Sequence, residues 1–317
     1  MEKVGTGNPE HLMQNVIISG ADGFVGSYTV QEFLDRGKYV LALDIAPSPA
    51  RLKAHRNLQY VQCDIADTAS LRELAGHCPF DTFVHFAWAG SAGPARADYD
   101  LQMQNVRNTV ACLRASKELG CSRFVGAGSI MEYEVESSVH EQGARPSPAN
   151  IYSLAKFLAH GMCKVAAAET GIELVWPIIT NAYGVGELSP RFVNTTLRKI
   201  IAGEPLEFTA GTQNYDFVYV SDVARAFFLA AEKGRPFCEY VIGSGNARPL
   251  REFILEMLSS CAPGTDPHFG DVPYSGAVLP LSVYDSSPLL DDCGFRAGIS
   301  FAEGTKLTME WLKTIGK

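Results

Sequence analysis

The stretch Val16-Ile17-Ile18-Ser19-Gly20-Ala21-Asp22-Gly23-Phe24-Val25-Gly26 decides the fold. Its first four residues are a short apolar run that stops at a glycine, the pattern of a buried strand. From Phe24 the spacing becomes helical, with Phe24, Tyr28, Phe33 and Leu34 on one side and Gly37 as the stop. Between strand and helix the glycines read GxxGxxG. The first allows a tight turn, the second lets a pyrophosphate approach the backbone, and the third lets helix and strand pack closely. The helix N-terminus then points its unpaired N–H groups at the phosphate. Gly20, Gly23 and Gly26, with Phe24 and Val25 of the first helical turn, are therefore candidate dinucleotide contacts. Glycine spacing alone also suits a turn with no ligand, so the weight falls on the context.

The context repeats the strand–helix rhythm. Strands are expected at Tyr39–Leu43, Gln59–Cys63, Thr82–Phe86, Arg123–Ala127 and Glu173–Ile179. Helices are expected at Ser70–Leu74, Tyr99–Leu119 and Ile151–Thr170, the last two stopped by Gly120 and Gly171. This alternation predicts an α/β fold: a Rossmann-type, doubly wound parallel sheet that binds its ligand at the carboxyl ends of the strands. After Asn181 the rhythm changes. Helices are expected at Arg191–Ala202, Val223–Glu232, Leu250–Leu258 and Phe301–Leu312, with short strands at Leu206–Thr209 and Phe217–Val220. The division is thus a dinucleotide-binding domain over 1–180, joined by segments near 214–243, and a smaller substrate-binding lobe over 181–317.

Asp44 ends the second strand, 18 residues past Gly26. A carboxylate there can accept both ribose hydroxyls and repels a 2′-phosphate, which favours NAD over NADP. Arg51, seven residues on, leaves NADP use open. Asp64 and Ile65, at the end of the third strand, can border the adenine, although Asp64 serves equally well as a loop cap. Tyr152 and Lys156 lie four apart at the start of a helix, so phenol and ammonium share a face. Lowering a phenol from about 10 to near 7 takes ~4 kcal/mol, within reach of a Lys⁺ plus a cationic nicotinamide. Ser129, after the fifth strand, can hydrogen-bond a reacting oxygen and align it with Tyr152. Ser129, Tyr152 and Lys156 are the candidate catalytic residues. There is no GxSxG, so a serine hydrolase fits poorly.

Composition narrows the classes. The 317 residues carry 27 Lys+Arg against 35 Asp+Glu, a net charge of −8, which argues against a nucleic-acid surface. No apolar run approaches the length of a membrane span, and residues 1–14 lack a signal-peptide core. The eight cysteines are then expected as reduced thiols in the cytoplasm. Neither CxxC nor HExxH occurs, so no metal site is expected.

Taken together these residues resemble the extended short-chain dehydrogenase/reductase family, in its branch of NAD-dependent nucleotide-sugar epimerases and reductases. The resemblance runs from Val16 to about Leu312. GADGFVG at Gly20–Gly26 matches the family's glycine turn, and Asp64-Ile65 its adenine contact. His85-Phe86-Ala87 resembles the cofactor-lining motif of the fourth strand, with Trp88 where a small residue is usual. Asn105 matches the asparagine of the next helix, and Ser129, Tyr152 and Lys156 match the catalytic set. Asn181-Ala-Tyr183-Gly184 resembles the family's NxYG substrate contact. Gln213–Asp222 resembles its QxRDFxYVxD strand. The resemblance implies NAD held by Gly20, Gly23, Phe24, Val25, Gly26, Asp44, Asp64, Ile65, Phe86, Ala87, Asn105, Tyr152 and Lys156. It implies a nucleotide-sugar held by Trp88, Met131, Asn181, Arg191 and Tyr215. It also implies a homodimer through the helices at Tyr99–Leu119 and Ile151–Thr170.

Two departures refine this. Sugar 4,6-dehydratases carry Asp-Glu directly after the catalytic Ser/Thr, whereas Ile130 and Met131 stand here. Water elimination would lack its acid and base, so a dehydratase is not expected. Tyr215 stands where many members have an arginine that grips the pyrophosphate. Either Arg191 or Arg198 supplies the cation, or the substrate is not a standard diphosphate sugar. The leading expectation is an epimerase that oxidises a sugar carbinol, C4, and returns the hydride to the other face. The alternatives are a 4-ketosugar reductase using NAD(P)H, a reductase of a non-nucleotide ketone, and a non-catalytic dinucleotide sensor.

Overall fold

The computed structural model describes residues 13–73, 79–274 and 276–316. Strand β1 (Asn15–Ser19) leads through the glycine turn into helix α1 (Phe24–Asp35), which returns to β2 (Tyr39–Asp44) and β3 (Leu58–Gln62). Helix α2 (Thr68–Glu73) follows; Leu74, the expected end of this helix, lies outside the described residues. Strand β4 (Thr82–His85), helix α3 (Tyr99–Glu118), β5 (Arg123–Gly126), the two-residue β6 (Gly128–Ser129), helix α4 (Ile151–Thr170) and β7 (Glu173–Ile179) complete the first half.

The second half starts with β8 (Asn181–Tyr183) and helix α5 (Phe192–Ala202). Strands β9 (Asn214–Tyr215) and β10 (Phe217–Tyr219) precede helix α6 (Val220–Lys233), β11 (Cys238–Ile242) and β12 (Arg248–Pro249). Helices α7 (Leu250–Cys261), α8 (Ser287–Cys293) and α9 (Phe301–Ile315) close the chain.

The main sheet runs β11-β7-β5-β4-β1-β2-β3, with β6 also on β7, and every pairing is parallel. Its strands alternate between two cores, as period 2 requires. Ile17, Leu41 and Leu43 face the side covered by α3 and α4. Val16, Ile18, Val40 and Ala42 face the side covered by α1 and α6. With both faces covered, the strands read as continuous apolar runs.

A third core gathers the later elements, where Phe217 packs among Tyr183, Phe253 and Phe301. Two buried carboxylates tie the pieces together. Asp216 accepts from the backbone N–H groups of Ser244 and Gly245 at 3.0 and 3.3 Å. Asp222 accepts from those of Gly298 and Ile299, both at 2.9 Å.

Several boundaries differ from expectation. Leu206–Thr209 makes no strand, only a single bridge between Phe208 and Phe269; its apolar side chains pack into the third core instead of pairing. Val220 starts helix α6 rather than ending a strand. Strands β8, β9 and β12 and helix α8 are too short to leave a periodic signal.

Candidate active site

The carboxyl ends of β1, β2, β4, β5, β6 and β7 open onto a cavity of ≈520 Å³. All the expected dinucleotide contacts line it: Gly20, Gly23, Phe24, Val25, Gly26, Asp44, Asp64, Ile65, Phe86, Ala87, Asn105, Tyr152 and Lys156. The glycine turn has no room for side chains. Gly20 has φ +66°, and a Cβ on it would meet the Ala87 nitrogen at 2.7 Å. A Cβ on Gly26 would meet the Gly20 carbonyl oxygen at 2.1 Å. Helix α1 begins directly after Gly23, so its first-turn N–H groups face the cavity. A pyrophosphate fits a bare-backbone cradle of this kind.

At the other end of the cavity, the Asp44 carboxylate accepts from the N–H groups of Asp22 and Ile45 at 2.9 and 2.8 Å. Arg51 is turned away from it and donates to the Gly186 carbonyl at 2.8 Å. It does not line the cavity, so the Arg51 guanidinium is not set for a 2′-phosphate. Asp44→Ala should therefore relax cofactor choice. A preference for NAD over NADP of roughly a hundredfold should fall to within about tenfold, because like charges in contact cost several kcal/mol. Dissociation constants for both dinucleotides would check this, and an unchanged ratio would refute it.

Around the reacting end, most side chains are held from behind. Ser129 caps the turn Ile130–Tyr133. Its N–H donates to Glu132 Oε1 at 2.8 Å, and its hydroxyl accepts from the Met131 N–H at 3.3 Å. Glu132 also takes the Trp176 indole N–H and lies 3.1 Å from His160 Nδ1, so its carboxylate is turned behind Ser129. Asn105 closes two hydrogen bonds on the Ala89 backbone, at 2.8 and 3.0 Å, and so fixes the loop after β4. His85 is sealed between Ser19 and Thr109, and burial pulls its imidazole down to about 3, keeping it neutral.

The Tyr152 phenol is buried, and burial pushes it above its ordinary value. A hydrogen bond with Ser129 and the charges of Arg191 and Arg96 act in the opposite sense. Lys156 lies one turn on from Tyr152 in α4 and lines the same cavity. Its Nζ donates to the Ala127 carbonyl at 2.9 Å and sits 3.7 Å from the Trp88 ring centroid. Burial lowers this amine to about 8.

A second cavity of ≈350 Å³ joins the first at Ser129, Tyr152 and Arg191. Met131, Asn181 and Tyr215, all expected on the substrate side, line it. Trp88 does not: it borders the first cavity, held by Gln102 at 2.9 Å. Arg198 reaches neither cavity and bonds Asn194 at 2.9 Å. Two residues the sequence did not single out stand here, Arg96 and Glu187. The guanidinium of Arg96 lies 4.5 Å from the Tyr152 ring centroid. Its one sequence signal was position, a cation in the loop past the end of β4. The Glu187 carboxylate is occupied by Ser189, at 2.8 and 2.6 Å.

A curated relative, a probable dTDP-glucose 4,6-dehydratase of Sinorhizobium fredii, is 24% identical over 93% of this chain and 92% of its own. A UDP-N-acetylglucosamine 4-epimerase from Methanobrevibacter ruminantium, solved with UDP-N-acetylmuramic acid, superposes with a TM-score of 0.80 at 22% identity. It covers 96% of this chain and 99% of its own. A UDP-glucuronic acid 4-epimerase from Bacillus cereus, solved with UDP-glucuronic acid and NAD, gives 0.77 at 21% identity, covering 95% and 100%. Residues 16–243 match the NAD dependent epimerase/dehydratase family, the span that builds both the glycine cradle and the Ser129–Tyr152 corner. The chain belongs to that family, whose description names NAD as its dinucleotide.

Proposed function

We propose that this protein is a nucleotide-sugar 4-epimerase that works by transient oxidation at the C4 carbinol. The observation that carries the reading is the Tyr152 phenol, buried where the two cavities meet with Ser129 on the same walls. Gly20, Gly23 and Gly26 would hold the pyrophosphate of the cofactor, Asp44 its ribose, and Asp64 with Ile65 its adenine edge. When bound, NAD supplies the hydride acceptor and later the donor. The chain's own residues handle the proton and the oxygen. Tyr152, as phenolate, takes the carbinol proton and gives it back once the sugar has turned its other face. Ser129 steadies the oxygen as carbonyl character grows. Lys156 keeps a positive charge against the Ala127 carbonyl and the cofactor ribose. Asn181 and Tyr215 border the sugar.

Two features of the relatives support this reading: the 4-epimerase names of the solved neighbours, and the NAD held by the Bacillus cereus protein. The dehydratase name of the Sinorhizobium relative points elsewhere. Dehydration needs an acid and a base beside the sugar, and this chain has Ile130, which is buried, and Met131 after Ser129. A second copy of the chain is proposed to cover the exposed apolar row Phe157, Leu158, Met162 and Val165 of α4.

Product analysis tests the reading. Incubated with UDP-sugars and NAD, the enzyme should interconvert C4 epimers from either side with no net change in NADH absorbance. Product formed in proportion to consumed NAD(P)H would make it a reductase. A 4-keto-6-deoxy product would make it a dehydratase.

A further inference from the structure

We propose that the sugar taken by this site carries a carboxylate on the carbon next to the reacting carbinol, read by Arg96 with Arg191 beside it. The inference rests on the epimerase reading of the same site. Arg96 comes from the short turn Pro94–Ala97 that follows β4, and its guanidinium carbon lies over the Tyr152 ring, 4.5 Å from the centroid. Its Nε is shut off from solvent and has no hydrogen-bond partner. Among the described residues no carboxylate pairs with it.

Arg191, the residue before α5, is half-exposed and loosely ion-paired with Glu187. Its nearest contacts are the Ser91 carbonyl at 3.5 Å and the Glu187 carboxylate at 3.7 Å. Both guanidiniums line the second cavity, whose other walls include the apolar Met131, Phe192 and Phe217. The Asn181 amide oxygen, buried on the same wall, also has no partner.

A guanidinium is a planar fork of donors that matches a carboxylate in two parallel hydrogen bonds. A buried donor without an acceptor is costly, so a cavity built around one is complete only when a ligand brings the acceptor. Position says which substituent does so. The Tyr152 oxygen marks the reacting carbinol, and Arg96 lies on the ring of that same tyrosine. The anion it meets is therefore on a neighbouring carbon of the sugar. The diphosphate leaves from the anomeric carbon, on the far side of the sugar ring from C4.

Calorimetric titration of the NAD-loaded protein with UDP-glucuronic acid, UDP-glucose, D-glucuronate and D-glucose decides the matter. The acidic member of each pair should bind at least tenfold more tightly, as expected for a charge-assisted hydrogen bond. Arg96→Leu should remove that preference, and Arg96→Lys should restore part of it. An acid preference among the free sugars, with neither UDP-sugar binding, would keep this inference and overturn the nucleotide-sugar reading. UDP-glucose binding as tightly as UDP-glucuronic acid would overturn the inference and leave that reading standing. So would an equal loss for both UDP-sugars in Arg96→Leu, which would mean that Arg96 grips the diphosphate or merely clamps Tyr152. No acid preference in either pair would likewise sink it.

Discussion

Tyr152→Phe should lower kcat by roughly three orders of magnitude, within the 10²–10⁴ range for removal of a general acid–base group. It should leave the fold and NAD binding in place. The substitution deletes one oxygen and keeps the ring. Trp88 still meets that ring edge-on at 6.1 Å, and the Arg96 guanidinium still covers its face at 4.5 Å. Ser129 loses one partner but stays locked by Glu132 and the Met131 N–H. The stability change should be about 1 kcal/mol, the net worth of one hydrogen bond. Burial holds the wild-type phenol in its protonated form, and Arg191, Arg96 and the Ser129 bond oppose it. The remaining push must come from the cationic nicotinamide, so the rate should depend on the oxidised cofactor being in place. Turnover within tenfold of wild type, with NAD bound normally, would remove Tyr152 from the chemistry and the epimerase mechanism with it.

How much of this was legible beforehand follows from the range of the forces involved. The glycine turn is read correctly because its constraint is local: a Cβ at Gly20 or Gly26 has nowhere to go within the same few residues and the adjoining strand end. The parallel sheet is legible because both faces of its strands are buried, which forces Val16–Ile18 and Val40–Leu43 to be apolar without a break. Tyr152 and Lys156 are paired by helix geometry alone.

What the sequence hides is set by distant contacts. The destination of the Lys156 ammonium, the Ala127 carbonyl and the Trp88 ring, depends on loops beyond β4 and β5. The same loop path carries Arg96 onto Tyr152, 56 positions away in the chain. Leu206–Thr209 has the composition of a strand, yet α5 and the region near Phe269 offer it packing in place of a partner strand.

Gly26→Ala should abolish NAD binding, weakening it by more than about a hundredfold, and destabilise the protein by 1–3 kcal/mol or more, the usual range for overpacking. Helix propensity predicts the opposite sign. Gly26 lies within α1, where alanine is favoured over glycine by ~1 kcal/mol. Sterics decides, because the new methyl would sit 2.1 Å from the Gly20 carbonyl oxygen and 3.2 Å from the Ala21 Cα. Both are backbone atoms, and the Gly20 carbonyl is already tied to the Gly23 N–H at 3.2 Å. Relief therefore requires α1 to move off the end of β1, and that movement takes the cradle apart. Gly161→Ala in α4 is the matched control. Nothing lies within 4 Å of its Cβ position, and the residue is exposed in mid-helix. Within the single chain propensity acts unopposed there, and the monomeric variant should gain about 0.5–1 kcal/mol with NAD binding intact; in the proposed dimer the new methyl would meet the second copy beside Phe157 and Met162. Thermal melts and NAD titrations of the two variants side by side test the account. If Gly26→Ala bound NAD like the wild type, the bare-backbone cradle would not be the pyrophosphate site.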